Sequence, residues 1–315
     1  MCNVLFTEPF YSRLEIPSSW NILIEDITAH SSLLSHVYKF RPNIIFTRLG
    51  LYFGSDIFAT SPFLSLLASP TTGLDHIDLV SAAFYDVQII SIKKQYEILD
   101  KVTSTAEHAW ALLLMSSRSL LNATSVVRHN KWKRSDLKIH QLSGKTLLII
   151  GYGRLGRILE SYARAFRMRC LINDPFIHDE GLSLPLELAL PQSDYVILSA
   201  SYETNDKPII NKLSIKYFKH ESIFINISRG ELVDEDCLLS LIDLGVCFSI
   251  GLDVLCNDSG FSEDLYVTSN LIERSKIDNR VIITPHVGGY AIEAIMATRE
   301  YVLNQVIAHL NLSIN

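Results

Sequence analysis

Histidine, arginine and carboxylate side chains move protons and hold anions, and this chain sets several of them at the ends of apolar runs. In "VIITPHVGGY" (281–290) a β-branched run delivers Pro285, then His286, then Gly288 and Gly289. An imidazole titrates near neutrality and can take or give a proton there; the plainer alternative is a capped strand end with an incidental ring. In "FINISRGELVDEDCLLSLI" (224–242) Arg229 directly follows an apolar run. At the carboxyl end of a strand its planar fork would point into a ligand crevice and suit a carboxylate. On this segment alone, the same arginine equally fits a surface pair with Glu231 or Asp234.

A third stretch, "TLLIIGYGRLGRILESYARAF" (146–166), reads as strand, glycine turn and helix. Glycines alone would say little, but this context is the one that a dinucleotide-binding turn needs. Gly151 would allow the tight turn, Gly153 the approach of a pyrophosphate, and Gly156 close packing of helix on strand. The amides of Arg154 and Leu155 would then face the phosphates. The next strand ends at Asp174, eighteen positions past Gly156. A carboxylate there accepts from a ribose diol and repels a 2′-phosphate, so NAD is expected over NADP.

The elements that must carry these residues alternate. Residues 2–6, 43–47, 66–69, 87–91, 169–174, 194–200, 222–228, 248–254 and 280–285 read as strands, most of them apolar on both faces. That pattern belongs to parallel sheets covered by helices. Residues 104–121 read as one long helix, with Ser104 as cap and Glu107 closing a capping box. From Tyr290 onward the pattern is a single helix. With too few strands before residue 95 for a full domain, this helix is expected to return and complete the first one.

Composition sets bounds. The 315 residues are 48% hydrophobic and 20% charged with a net charge of −6, enough apolar content for two cores. Basic residues concentrate only in "RHNKWKR" (128–134), so nucleic acid is not expected as a partner. The five cysteines lack metal or disulfide spacing, no metal is expected, and a reducing cytoplasm fits. The start shows no secretion-signal pattern, and no apolar stretch reaches membrane-spanning length.

Three segments converge on a family: "GYGRLG", "NISRGELVDEDCL" with "GLDV" (251–254), and "TPHVGGYAIEA" (284–294). Together they resemble the D-isomer-specific 2-hydroxyacid dehydrogenases. "TTGLDHIDL" (71–79) and "TSTAEHAWALLL" (103–114) extend the similarity and are nearest to phosphoglycerate-dehydrogenase-like members. The resemblance implies an α/β fold of two Rossmann-like domains with parallel sheets. The NAD-binding domain (98–287) would be inserted into a discontinuous substrate domain (1–97 with 288–315).

The resemblance also implies hydride transfer between C2 of a 2-hydroxy or 2-keto acid and NAD. His286 would be the acid–base catalyst, and Arg229 would bind the carboxylate and polarise the C2 oxygen. Asp253 would face the nicotinamide, with Ser199 and Ile227 also at the cofactor. Thr72, Gly73 and Leu74 would hold the substrate carboxylate through their amides. Arg48 would reach a distal substrate group, or else form a surface salt bridge. A homodimer is implied, with residues 118–143 as a candidate contact.

Two positions depart from the family. The histidine's carboxylate partner is usually glutamate followed by proline; "DVLCNDSG" puts Asp258 and Ser259 there, with Glu263 as a substitute. Where the family commonly has His-x-Pro, this chain has Ser199 and Ser201. A corepressor-like scaffold that binds NADH with little turnover is the contrasting reading, but it would not need Arg229, His286 and a carboxylate together. A formate-oxidising relative would carry glutamine at the partner position. Glu107–His108 is read as structural and not as a metal pair, since neighbouring helix residues point about 100° apart, and His76 is read as a satisfied turn residue and not as a second catalyst.

Overall fold

The computed structural model describes residues 2–9, 16–177, 181–203, 206–258 and 269–312. It falls into two compact units, Met1–Val102 with Asn257–Val267 and Ala291–Asn315, and Thr103–Cys256 with Thr268–Tyr290.

The first unit is built on five strands: β1 (Cys2–Phe6), β2 (Trp20–Ile24), β3 (Ile44–Phe46), β4 (Leu66–Ser69) and β5 (Gln88–Ser91). They form one parallel sheet in the order β2-β1-β3-β4-β5. Successive side chains on a strand face opposite ways, and both faces here are apolar. Leu5, Ile45 and Leu67 pack with Leu33 and Val37 of the helix His30–Phe40. Val4, Phe6, Ile44, Phe46, Leu66 and Ala68 share a second core with Val302, Leu303 and Val306. Those last three lie on the helix Ile292–Leu312, so the C-terminal segment does return to the first sheet. Each such side chain, when fully buried, contributes about 2 kcal/mol. The sequence pattern had not shown β2. It is an edge strand whose residues are half-buried or exposed, so its apolar signal is diluted.

The second unit carries β6 (Thr146–Ile150), β7 (Arg169–Asn173), β8 (Tyr195–Leu198), β9 (Ser222–Asn226), β10 (Cys247–Leu252) and β11 (Val281–Ile283). Its parallel sheet runs β11-β10-β9-β8-β6-β7, and a single bridge from Ile172 to Ser183 extends it past β7. The order reverses between β6 and β8, the place where a doubly wound sheet opens a crevice at its carboxyl end. Leu147, Ile149, Tyr195, Ile197, Ile223 and Ile225 form its core with the helices Ser104–Ser117 and Arg154–Ala165.

The first of those helices differs from expectation at both ends. Its cap residue is Thr103, and no side chain accepts from its first turn; the Thr103 hydroxyl donates to Glu107 instead, at 2.5 Å. It stops at Ser117, and Ser119 adopts a left-handed backbone (φ 47°) before a new helix, Leu120–Arg128. Serines at 116, 117 and 119 weaken helix continuation there, which an apolar count over 104–121 does not register.

Candidate active site

The glycine turn begins where β6 ends. Gly151 has φ +90°, and a Cβ on it would lie 2.4 Å from the Ala200 backbone, so only glycine lets the turn run against the loop after β8. Its N–H donates to the Asn173 carbonyl at 2.8 Å. Gly153 precedes the helix Arg154–Ala165, which no side chain caps. A Cβ on Gly153 would meet nothing within 4 Å, whereas one on Gly156 would lie 2.4 Å from the Gly151 carbonyl oxygen. One glycine therefore leaves room above the turn and the other closes helix onto strand. Backbone N–H groups at such a helix start are what a phosphate would meet.

Asp174 sits at the rim of this turn. Its Oδ2 accepts from the Tyr152 N–H at 2.7 Å and its Oδ1 from the Phe176 N–H at 2.9 Å. An ionised carboxylate oxygen has a further lone pair, so both can still accept. The Ser199 hydroxyl donates to the Gly151 carbonyl at 2.8 Å and so braces the turn from the neighbouring strand. Ile227 is buried, and its N–H donates to the Leu198 carbonyl at 3.3 Å. Open space at Gly153, the uncapped helix and the carboxylate at the next strand's end fit a dinucleotide with a ribose diol.

Two strands further along the same edge, Asn226 clamps the arginine loop. Its Oδ1 accepts from the Ser228 N–H at 2.9 Å, and its Nδ2 donates to the Arg229 carbonyl at 3.0 Å. The Ser228 hydroxyl donates to the Ala200 carbonyl. A Cβ on Gly230 would lie 2.0 Å from the Leu255 backbone, so this loop rests directly against the one after β10. Arg229 itself is half-buried, and its Nη1 donates to the Ser228 carbonyl at 2.9 Å. Asp234, one of the acids that could have paired with it, caps the helix Glu235–Asp243 through the Cys237 N–H.

At the end of the row stands Asp253, only 2% exposed. Its carboxylate accepts from the Thr284 hydroxyl at 2.6 Å, the Val287 N–H at 2.9 Å and the Gly288 N–H at 2.7 Å. His108 Nε2 lies 3.2 Å away. Burial works against its charge, but hydrogen bonds from His108, Thr284 and Gly288 outweigh it and hold the carboxyl below the usual carboxylate range. The Asp253 carbonyl accepts from the His286 N–H at 2.8 Å. His286 is half-buried and left-handed (φ 54°), a conformation uncommon for a residue with a Cβ. Pro285 limits the approach to the ring, but the grip on the loop comes from Asp253.

The remaining site residues belong to the first unit. The Thr71 hydroxyl donates to the Gly73 carbonyl at 2.7 Å and meets Ser69 Oγ at 2.8 Å, shaping the turn after β4. Among the described residues, the amides of Thr72, Gly73 and Leu74 meet no acceptor within the chain. His76 is 1% exposed, with Nε2 3.3 Å from Ser69 Oγ, and supports the same turn. Arg48 is 8% exposed, and its Nη1 donates to Asp26 at 2.6 Å, the ion pair weighed from its sequence. Asp258 is half-buried in the first unit, while Ser259 and Glu263 lie outside the described residues. No group of three or more His, Cys, Asp or Glu side chains suited to a metal occurs among the described residues. No helix among them is long and apolar enough to cross a membrane.

Sequence reasoning missed Asn226, Thr284 and His108. Asn226 sat in plain view, since an asparagine ending a strand two residues before a functional loop is an Asx-turn signal. For Thr284 and His108, partners separated by up to 176 positions left no local trace.

Comparison with known proteins agrees with this geometry. Residues 110–288 match the family described as D-isomer specific 2-hydroxyacid dehydrogenase, NAD binding domain. A glyoxylate reductase from Pyrococcus furiosus is 30% identical over 275 residues, spanning 83% of this chain and 77% of its own. A hydroxypyruvate reductase from Thermotoga maritima is 30% identical over 243 residues, 76% of each chain. The crystal structure of D-lactate dehydrogenase from Aquifex aeolicus, complexed with NAD and lactic acid, shares the fold with a TM-score of 0.81. It is 24% identical, covering 99% of this chain and 96% of that one. With an NAD-type glycine turn, an arginine loop and a held histidine along one strand edge, the chain belongs to the D-isomer-specific 2-hydroxyacid dehydrogenases and is an NAD-dependent oxidoreductase.

Proposed function

We propose that the protein interconverts small 2-keto acids and their D-2-hydroxy acids, with His286 as acid–base catalyst and Arg229 as carboxylate anchor. The observation that carries this reading is the row along one sheet edge. It runs from Gly151–Gly156 and Asp174, through Ser199 and the Asn226–Arg229 clamp, to Asp253 and His286.

Gly153, Arg154, Leu155 and Asp174 would hold the dinucleotide, and Asp174 would disfavour a 2′-phosphate. When bound, NAD(H) supplies or takes up the hydride at C2. The Arg229 fork grips the substrate carboxylate and stabilises negative charge growing on the C2 oxygen, and we keep for the amides of Thr72, Gly73 and Leu74 the carboxylate-holding role that the resemblance implies. In reduction the His286 ring delivers a proton to that oxygen; in oxidation it withdraws one. Asp258 is the carboxylate we assign as the ring's partner in the reaction. Asp253 faces the nicotinamide side of the site, and Ile227 and Ser199 line the cofactor's bed.

The substrate is small. The relatives named above are a glyoxylate and a hydroxypyruvate reductase, and Arg48 is engaged with Asp26. We assign Met1–Val102 with the C-terminal helix to the substrate domain and the second unit to the cofactor. The working form is a cytoplasmic homodimer joined through residues 118–143, where Leu120, Val127, Trp132 and Ile139 are exposed. Light scattering on wild type and Trp132→Glu checks that assembly.

The decisive experiment follows NADH consumption with glyoxylate, hydroxypyruvate, pyruvate and 3-phosphohydroxypyruvate. Turnover should be fastest with glyoxylate and hydroxypyruvate. His286→Ala should lower kcat about 10³-fold while NADH affinity, read by fluorescence, stays near normal. Saturable NADH binding with no turnover on any keto acid would favour the scaffold reading. Unchanged turnover in His286→Ala would remove the histidine from the mechanism.

A further inference from the structure

The helix Ser104–Ser117 brings the His108 ring to the row described above, and the mechanism does not use it. His108 Nε2 lies 2.8 Å from the Thr284 hydroxyl oxygen and 3.2 Å from Asp253 Oδ1. We infer that His108 is a positioning residue that locks the His286 loop through Thr284 and Asp253.

Counting protons sets the direction of this relay. A threonine hydroxyl has one hydrogen, and here it points at the Asp253 carboxylate at 2.6 Å, which has none to give. The histidine nitrogen facing Thr284 must therefore be the protonated one. His108 donates to Thr284, and Thr284 donates to Asp253. The same carboxylate grips the two amides that follow the catalytic ring, Val287 and Gly288. The fit is tight on the other side as well, since a Cβ on Gly288 would lie 2.8 Å from Asp253 Oδ2 and 3.3 Å from Thr105 Cγ2. One carboxylate thus ties the helix, the end of β11 and the loop into one knot.

The left-handed backbone at His286 is what this knot must maintain. That conformation is disfavoured for a residue with a Cβ, and here the bonds from Val287 and Gly288 to Asp253 help to hold it. Without the donor from His108, Asp253 loses part of what keeps it charged in a buried place, and its hold on the two amides weakens. The ring would then sample several directions instead of one. The consequence is a fall in kcat with little effect on cofactor binding, because the glycine turn and Asp174 lie at the far end of the row.

This inference rests on the assignment of His286 as the catalyst, and the test separates the two. Wild type, His286→Ala, His108→Ala, His108→Gln and Thr284→Val are compared for kcat, KM for glyoxylate, NADH affinity and thermal midpoint. Hydrogen exchange at the Val287 and Gly288 amides is measured alongside. Glutamine places an N–H donor near the position of His Nε2.

His108→Ala should lose about tenfold in kcat with KM and NADH affinity within twofold, and the two amides should exchange about tenfold faster. His108→Gln should recover most of both. Wild-type kcat and exchange in His108→Ala would overturn the lock, and equal loss in His108→Gln would overturn the donor role. Should His108→Ala fail to fold, Thr284→Val decides: protected amides with normal kcat in that variant would refute the lock. Turnover surviving in His286→Ala would sink the assignment of the catalyst itself, whereas the exchange data would still judge the lock.

Discussion

The two parallel sheets reverse their strand order in the same way, beside β1 and β3 in the first unit and beside β6 and β8 in the second. Their carboxyl edges are furnished very differently. In the second unit the edge presents glycines, a helix start without a side-chain cap, and a carboxylate whose oxygens can still accept. In the first unit the corresponding edge is occupied by the chain's own charges. Arg299 pairs with Glu8 and donates to the Pro9 carbonyl at 2.9 Å, beside a small hollow lined by Phe6, Thr7, Phe46 and Thr47. Arg48 pairs with Asp26. Topology supplies a crevice in both, and side chains decide which one receives a cofactor.

That contrast can be broken most sharply at Arg229. Lysine keeps the charge but not the fork, so Arg229→Lys should lower kcat/KM for glyoxylate about 10²-fold with NADH affinity unchanged. Wild-type steady-state kinetics would mean that this edge does not hold the carboxylate.

A pair of glycines sharpens the comparison next. Gly153→Ala adds a methyl to open space, so the thermal midpoint should hold while NADH binds about tenfold more weakly by titration. Gly156→Ala forces a methyl against the Gly151 carbonyl, and the midpoint should fall by roughly 2–4 °C per kcal/mol lost. If both variants behaved alike, the distinction between a glycine that leaves room and one that permits packing would fail.

Asp253 makes a smaller, pH-dependent contribution. Its folded carboxyl titrates below the ordinary range. The ionised form therefore stabilises the fold above the unfolded value of about 4, and that stability drains away as pH falls through the folded value. The gap in thermal midpoint between wild type and Asp253→Asn should be widest near neutrality and narrow as pH falls through the folded carboxyl's depressed range. A gap that stayed constant, followed by circular dichroism, would mean that the amide satisfies the same donors.

The smallest effect is expected at Arg48. Asp26 is largely exposed, with 62% of its side chain accessible, so losing the pair should cost about 1 kcal/mol or less. Arg48→Met should leave KM for glyoxylate within twofold. A tenfold rise in KM would instead place this arginine on the substrate.

The chemistry-bearing residues were legible in the chain because their local requirements are strict. A turn with φ +90° pressed against another backbone demands Gly151, and a helix packed onto its strand demands Gly156. Arg229 and His286 announce themselves by standing at the ends of apolar runs. Less legible were features governed by weak local signals. The edge strand β2 is only half apolar in its surroundings, and the helix after Thr103 stops at serines that an apolar count ignores. His108 was read as structural, but its partner Thr284, 176 positions away, left no local trace.

The order of apolar runs, the glycine spacing and the identity of the arginine and histidine were determined by the linear chain, since backbone sterics and strand periodicity act within a few residues. Which side chains would share one carboxylate was decided only in three dimensions. Parallel strands are joined by long crossovers, so His108, Asp253 and Gly288 arrive at one point from distant parts of the sequence. No local rule could have specified that meeting.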